Sequence, residues 1–279
     1  MPSLAHAVVA AEGAAPRRYI LFLHGILGSG GNWRTFARRL VAARPSWGAV
    51  LVDLRMHGAS QGFQPPHTLA ACAEDLQRLE AELGLPVAAV LGHSFGGKVA
   101  LEYAARRPDL ETAWILDSSP GARPDARGSE STVRIVRLLE TVPERFAKRE
   151  AFIEWVVAHG TDRPIAMWLA MNLRVAQDGE GYALRVDLPA LRSLLDDYFA
   201  RDEWPVIEQA IGQASRRTRF HLIVGGRSSV LDAPELQHAQ RLAAGSDRVS
   251  LHVIPEAGHW LHVDAPDALF DLVLAATPL

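Results

Sequence analysis

A chain of 279 residues that is 48% hydrophobic and 22% charged can bury one large core and carry an insertion. Its formal net charge of −3 gives no electrostatic reason to expect a nucleic acid or an anionic membrane as partner, and favours a neutral or modestly charged small molecule. The single cysteine, Cys72, has no disulfide or CxxC partner, and no run approaches the roughly 18 apolar residues of a membrane span, so a cytoplasmic protein that crosses no membrane is expected.

Met1 to Ala15 is alanine-rich but has no lysine or arginine ahead of its apolar stretch, so no signal peptide is expected. Tyr19 to Leu23, Ala49 to Val52 and Val87 to Leu91 are short apolar runs that each end in a glycine-bearing loop, and they read as buried parallel strands. Helical patterns separate them, over Trp33 to Ala43 and Leu69 to Leu83. The second holds Cys72, which reads as a small buried apolar residue. Further strands are predicted at Thr112 to Leu116, Arg219 to Val224 and Val249 to Ile254, with helices at Phe95 to Arg107 and Pro234 to Ala244. Alternating strands and helices predict an α/β fold, a mostly parallel sheet covered by helices on both faces.

The alternation stops between about Ser118 and Ser215, after the stretch SSPGARPDARGSES, where the chain reads mainly as helices. This predicts a core formed by residues 1–118 and 216–279 and a helical lid over 119–215. The lid holds Phe152, Trp155, Met167, Trp168, Met171, Tyr182, Tyr198 and Phe199. Such side chains serve first to pack the lid against itself. Met167, Trp168 and Met171, at neighbouring helical positions in the segment Pro164 to Val175, are candidates for the wall of an apolar substrate pocket.

At Gly92-His93-Ser94-Phe95-Gly96 a strand ends, a serine follows and a helix begins. In that context a G-x-S-x-G match reads as a nucleophile elbow: the serine sits on a tight, strained turn, and side chains at the glycines would clash with the neighbouring strand and helix. Attack on an acyl carbon creates an oxyanion, which needs two backbone N–H groups aimed at one point. Phe95, next to the serine at the helix N-terminus, is one candidate donor. Ile26, in the loop His24-Gly25-Ile26-Leu27-Gly28 after the first of these strands, is the other.

A serine hydroxyl needs a base, and histidine suits that task near neutral pH. Of eleven histidines, His259 lies in the loop Glu256-Ala257-Gly258-His259-Trp260 directly after the last strand, which brings it to the carboxyl edge of the sheet. His252 falls inside that strand and His262 in the helical turn beyond, positions suited to packing.

HGILGS, DLRMHGAS, GHSFGGKVA and EAGHWLHVDAP, in this order and spacing, resemble successive landmarks of the α/β-hydrolase superfamily over most of the chain outside the insertion. HGxxGSxxNW at His24 to Trp33, Lys98 and the GGRS at Gly225 to Ser228 further resemble bacterial acyl-CoA esterases of the YbfF type. The resemblance implies hydrolysis of esters or thioesters of short to medium acyl chains by an acyl-enzyme route, with no metal or organic cofactor. A serine at the elbow argues against dehalogenases and epoxide hydrolases, similar chains that carry aspartate there. A C–C bond hydrolase or cofactor-free haloperoxidase would use nearly the same residues, and a non-catalytic ligand-binding protein on the same fold is the alternative from another class.

In the turn Asp53 to Ser60, which resembles the family's D-x-R-x-H-G-x-S, Asp53 and Arg55 are expected to pair and Gly58 to be left-handed, with His57 structural. Lys98, one helical turn beyond Ser94, is expected to reach solvent or to bond the approach to the lid. The acid departs from the commonest pattern. After the strand FHLIV no carboxylate precedes Asp232, whereas Thr112 to Leu116 ends directly in Asp117 at the edge where Ser94 and His259 converge. Asp117 is therefore the candidate acid and Asp232 the runner-up. Ser228, standing where the usual acid would be, is expected to orient the acid–histidine pair.

Overall fold

The computed structural model describes residues 2–176 and 178–279. In chain order the strands are β1 (His6–Val9), β2 (Arg18–Leu23), β3 (Trp47–Val52), β4 (Val87–His93), β5 (Thr112–Leu116), β6 (Leu173–Val175), β7 (Tyr182–Leu184), β8 (Arg219–Gly225) and β9 (Val249–Ile254). Seven of them form one sheet in the order β1-β3-β2-β4-β5-β8-β9, parallel throughout except for the antiparallel edge strand β1. The helices are α1 (Arg34–Ala43), α2 (Leu69–Leu83), α3 (Phe95–Ala105), α4 (Glu130–Leu139), α5 (Arg149–Ala158), α6 (Arg163–Leu169), α7 (Leu188–Ala200), α8 (Trp204–Gly212), α9 (Ala233–Gly245), α10 (Leu261–Asp264) and α11 (Pro266–Ala275).

The central strands are apolar on both faces because both are covered. In β2, Ile20 and Phe22 join the core under α1 and α11, while Leu21 and Leu23 join the core under α2 and α3. Helix boundaries follow local chemistry. Thr68 Oγ1 accepts the Ala71 N–H at 3.2 Å to start α2, and Gly84, at φ 61°, stops it. The edge strand β1 was not expected from the sequence: its four residues alternate between exposed and half-buried, a weak signal in an alanine-rich segment.

Between β5 and β8 run α4 to α8 and the β6–β7 hairpin, which the helical reading of this region did not include. Phe152, Tyr198 and Phe199 are buried within this segment, whereas Met167 and Met171 are more than half exposed. Lys98 is buried rather than solvated. Its ammonium donates to the carbonyls of Gly121 (2.8 Å), Tyr198 (2.7 Å) and Arg201 (2.8 Å), tying α3 to the start of the inserted segment and to the C-terminal end of α7.

The turn after β3 corrects one expectation. Arg55 does not pair with Asp53; it forks onto Asp75 of α2 at 2.6 and 3.0 Å and donates to the Pro66 carbonyl. Asp53 instead accepts the N–H groups of Gly30 (2.7 Å) and Ala59 (2.8 Å), joining this turn to the loop after β2. Buried Asp75 offers the guanidinium both carboxylate oxygens, while two backbone amides satisfy Asp53. Gly58 is left-handed at φ 51°, and His57 is buried, its ring bonded to the Arg55 carbonyl.

Candidate active site

The carboxyl ends of β2, β4, β5, β8 and β9 converge on one point. Ser94 follows β4 at φ 54° and ψ −120°, a strained conformation for a residue with a side chain. The turn is held by Ser94 N–H donating to the Leu116 carbonyl (2.9 Å) and by Gly97 N–H donating to the Ser94 carbonyl (2.8 Å). Its flanking glycines are required by contact: a Cβ on Gly92 would overlap the Gly96 backbone, and one on Gly96 would lie 2.6 Å from the His24 carbonyl.

His259, in the loop after β9, places Nε2 3.1 Å from Ser94 Oγ and Nδ1 2.7 Å from Asp117 Oδ2. A carboxylate only accepts, so Nδ1 carries the proton and Nε2 accepts from the serine hydroxyl. Asp117 directly follows β5, is fully buried, and sits at φ 42°. Its Oδ1 accepts the Gly225 N–H (2.9 Å), and Oδ2 also accepts the Ser228 hydroxyl (2.6 Å). Buried carboxylate is tolerated because three donors surround it. Ser228 is thus beside the carboxylate. Asp232 is elsewhere: it caps α9 by accepting the Glu235 N–H and pairs with Arg123.

Ile26 and Phe95 flank the serine. Among the described residues neither backbone N–H donates to a protein acceptor. Leu27, next to Ile26, is a further left-handed residue at φ 63°, so strain is concentrated in the loops around Ser94. His24 does not face the serine. Its Nδ1 donates to the Gly25 carbonyl (2.7 Å) and its Nε2 accepts the Leu54 N–H (3.0 Å), and burial brings its pKa down to about 4, so it is a neutral brace.

One positioning contact was not legible in the sequence. His93, the residue before the serine, donates from Nε2 to the backbone carbonyl of His259 at 2.7 Å. Burial, first, and then the nearby His259 and His262 hold its pKa well below the usual histidine range, so it is neutral. His262 packs on His93 and Trp33, which is the packing role expected for it. His252 bonds Ser250 within β9.

A cleft of about 560 Å³ opens over Ser94. Its floor is Gly25, Ile26, Leu27, His93 and His259; its sides are Ser131, Thr132 and Ile135 of α4, Ile165 and Trp168 of α6, and Trp260. Trp168 therefore lies where a pocket wall was expected. Met167 does not line this cleft and is 55% exposed; Met171 lines a neighbouring groove of mixed polarity and is 52% exposed. The correction follows from helical phase: Ile165 and Trp168, three apart, share the inward face, and Met167 points away from it. Ser131, Thr132 and Ile135 were missed because Ser131 closes the Gly/Pro/Ser-rich stretch and the other two begin the helical region after it, where composition does not mark which face turns inward.

A mostly parallel sheet wrapped by helices, with a serine elbow, histidine and carboxylate at its carboxyl edge, defines an α/β-hydrolase architecture. Residues 20–272 match the model of the Alpha/beta hydrolase family, and the chain belongs to that family. It is 30% identical over 266 residues to the sn-1-specific diacylglycerol lipase ABHD11 of Mus musculus, across 94% of this chain and 81% of that protein. It is 27% identical over 255 residues to Esterase YbfF of Escherichia coli (strain K12), across 90% and 89% of the two chains. Among solved structures, a marine microorganism esterase shares the fold with a TM-score of 0.82 and 22% identity over 99% of both chains.

Proposed function

We propose that this protein is a serine esterase or thioesterase that hydrolyses short to medium acyl esters through an acyl-enzyme. Ser94 attacks the carbonyl carbon while His259 Nε2 takes its proton. Asp117 holds the imidazole in the Nδ1–H tautomer and stabilises the imidazolium that forms. The N–H groups of Ile26 and Phe95 receive the oxyanion. His259 then returns the proton to the departing alcohol or thiol, and water, deprotonated by the same histidine, releases the acid and restores Ser94.

The single observation that carries this reading is the line Asp117 Oδ2–His259–Ser94 Oγ, with separations of 2.7 and 3.1 Å. Ser228 supports it by donating to the same carboxylate oxygen. The names of the relatives, esterase and lipase, agree with an acyl-ester substrate. Apolar side chains of Ile26, Leu27, Ile135, Ile165, Trp168 and Trp260 around the serine suit a hydrocarbon acyl group, and the inserted segment 119–215 acts as the lid that supplies three of them.

A panel of p-nitrophenyl esters and acyl thioesters of graded chain length tests the proposal. The expected result is turnover that peaks at short to medium chains and disappears in S94A. Absence of turnover on every member, together with no labelling by a fluorophosphonate, would overturn it.

A further inference from the structure

Trp168 is the only residue, among those described, that lines all three clefts around the site. Its ring meets Trp260 edge to face, with centroids 4.8 Å apart and planes at 69°. On the far side of this pair lies a second cleft of about 610 Å³ that shares Ile165, Trp168 and Trp260 with the active-site cleft and adds Pro164 and Val263. The third cleft, also bounded by Trp168, is mixed, with Leu27 and Met171 beside Ser29, Asn172 and Arg174. Of the two, the second cleft offers hydrocarbon leaving the neighbourhood of Ser94 past Trp168 the more apolar surface.

We propose that the outer apolar cleft is a second acyl compartment, and that the Trp168–Trp260 pair is the partition that limits how many carbons of the acyl chain can be held beyond Ser94. The inference rests on the acyl-ester reading of the site. Both rings are half-buried, so each stands at the boundary between enclosed cleft and solvent instead of in the core. Closed edge to face, the pair separates the two apolar spaces; removing either ring joins them. Each methylene then taken from water adds about a factor of four to kcat/KM, so a chain extended by a few carbons gains one to two orders of magnitude.

The test is kcat/KM for p-nitrophenyl acetate, butyrate, hexanoate, octanoate, decanoate and laurate with wild type, Trp168→Ala, Trp260→Ala and the double variant Trp168→Ala/Val263→Trp. The expected result is a decanoate-to-butyrate ratio raised at least about tenfold by either alanine variant, and returned toward the wild-type ratio when the tryptophan at position 263 fills the outer cleft. The two alanine variants open the partition from opposite sides, so either one alone, if folded by circular dichroism, gives the answer. A ratio unchanged within about twofold in a folded alanine variant, or a raised ratio insensitive to Val263→Trp, overturns the partition. The two failures are distinguishable: no ester cleaved by wild type removes the reading of the site and the partition with it, whereas short esters cleaved with an unmoved ratio remove the partition alone.

Discussion

His93 Nε2 donates to the backbone carbonyl of His259 at 2.7 Å, so the residue before the elbow serine fixes the loop that carries the histidine facing that serine. The two loops come from β4 and β9, which are not neighbours in the sheet, and this bond closes the distance between them. Replacing His93 with Ala leaves the carbonyl without its donor and opens space beneath His259, at a cost of about 1–2 kcal/mol. H93A is expected to lose about tenfold in kcat with KM little changed. Steady-state kinetics on p-nitrophenyl butyrate checks this, and a kcat within about twofold of wild type contradicts it.

Asp117 and Asp232 make opposite predictions. D117N keeps the shape but offers an amide to His259 Nδ1, which disfavours the tautomer needed at Ser94, so turnover is expected to fall by several orders of magnitude. D232N touches only the α9 cap and the Arg123 pair, and is expected to cost about 1 kcal/mol of stability with turnover near wild type. S228A removes one of the donors to Asp117 Oδ2 and should fall between them. Turnover of the three variants side by side settles the order.

How much of this was legible in the sequence depends on how local each cause is. Strands β2 to β5 and most of β8 were readable because burial on both faces leaves an apolar run, whereas β9 is a part-exposed edge strand with a weaker signal; the helix of Leu69 to Leu83 was readable from its helical pattern of apolar residues. The residues now in line, Ser94, His259 and Asp117, each sit one or two steps past a readable strand or within a short loop after it. What was not legible depends on partners distant in the chain. Arg55 finds Asp75, twenty residues on, in place of Asp53, and His93 meets a carbonyl 166 residues away. The pocket wall needed helical phase as well as composition, which is why Trp168 lies on the cleft and Met167 does not.

Several histidines are buried neutral, and acid should therefore destabilise the fold. His24 has its pKa brought down to about 4, His57 to about 3 and His262 to about 4, chiefly by burial. Since an unfolded histidine titrates near 6.5, the unfolded chain takes up protons that the native state refuses. Stability is complete above about pH 6.5 and is lost as pH falls toward the folded values. For His24 alone the loss approaches about 3 kcal/mol at pH 4, because a proton on Nε2 would face the Leu54 N–H. Urea unfolding from neutrality down to about pH 5 is expected to show a steady decline, and a flat profile contradicts it.

Lys98 holds the inserted segment to the elbow helix through three carbonyls. Burial brings its pKa down to about 8, which still leaves it protonated at neutral pH, as three donated bonds require. Lys98→Met keeps the stem and removes the donors, so those carbonyls lose their partner, and a destabilisation of about 3 kcal/mol is expected. The urea midpoint at neutral pH measures it; an unchanged midpoint means the tether contributes nothing.

The proposed role of Ser94 as nucleophile is tested most directly by the intact mass of wild type and S94A after exposure to a fluorophosphonate, paired with turnover of p-nitrophenyl butyrate. The expected result is one adduct on the wild type, mapped to the peptide containing Ser94, no adduct on S94A, and turnover in S94A lowered by roughly 10⁴-fold or more with the fold intact. An adduct on folded S94A, or retention of about a tenth of wild-type turnover, would contradict it.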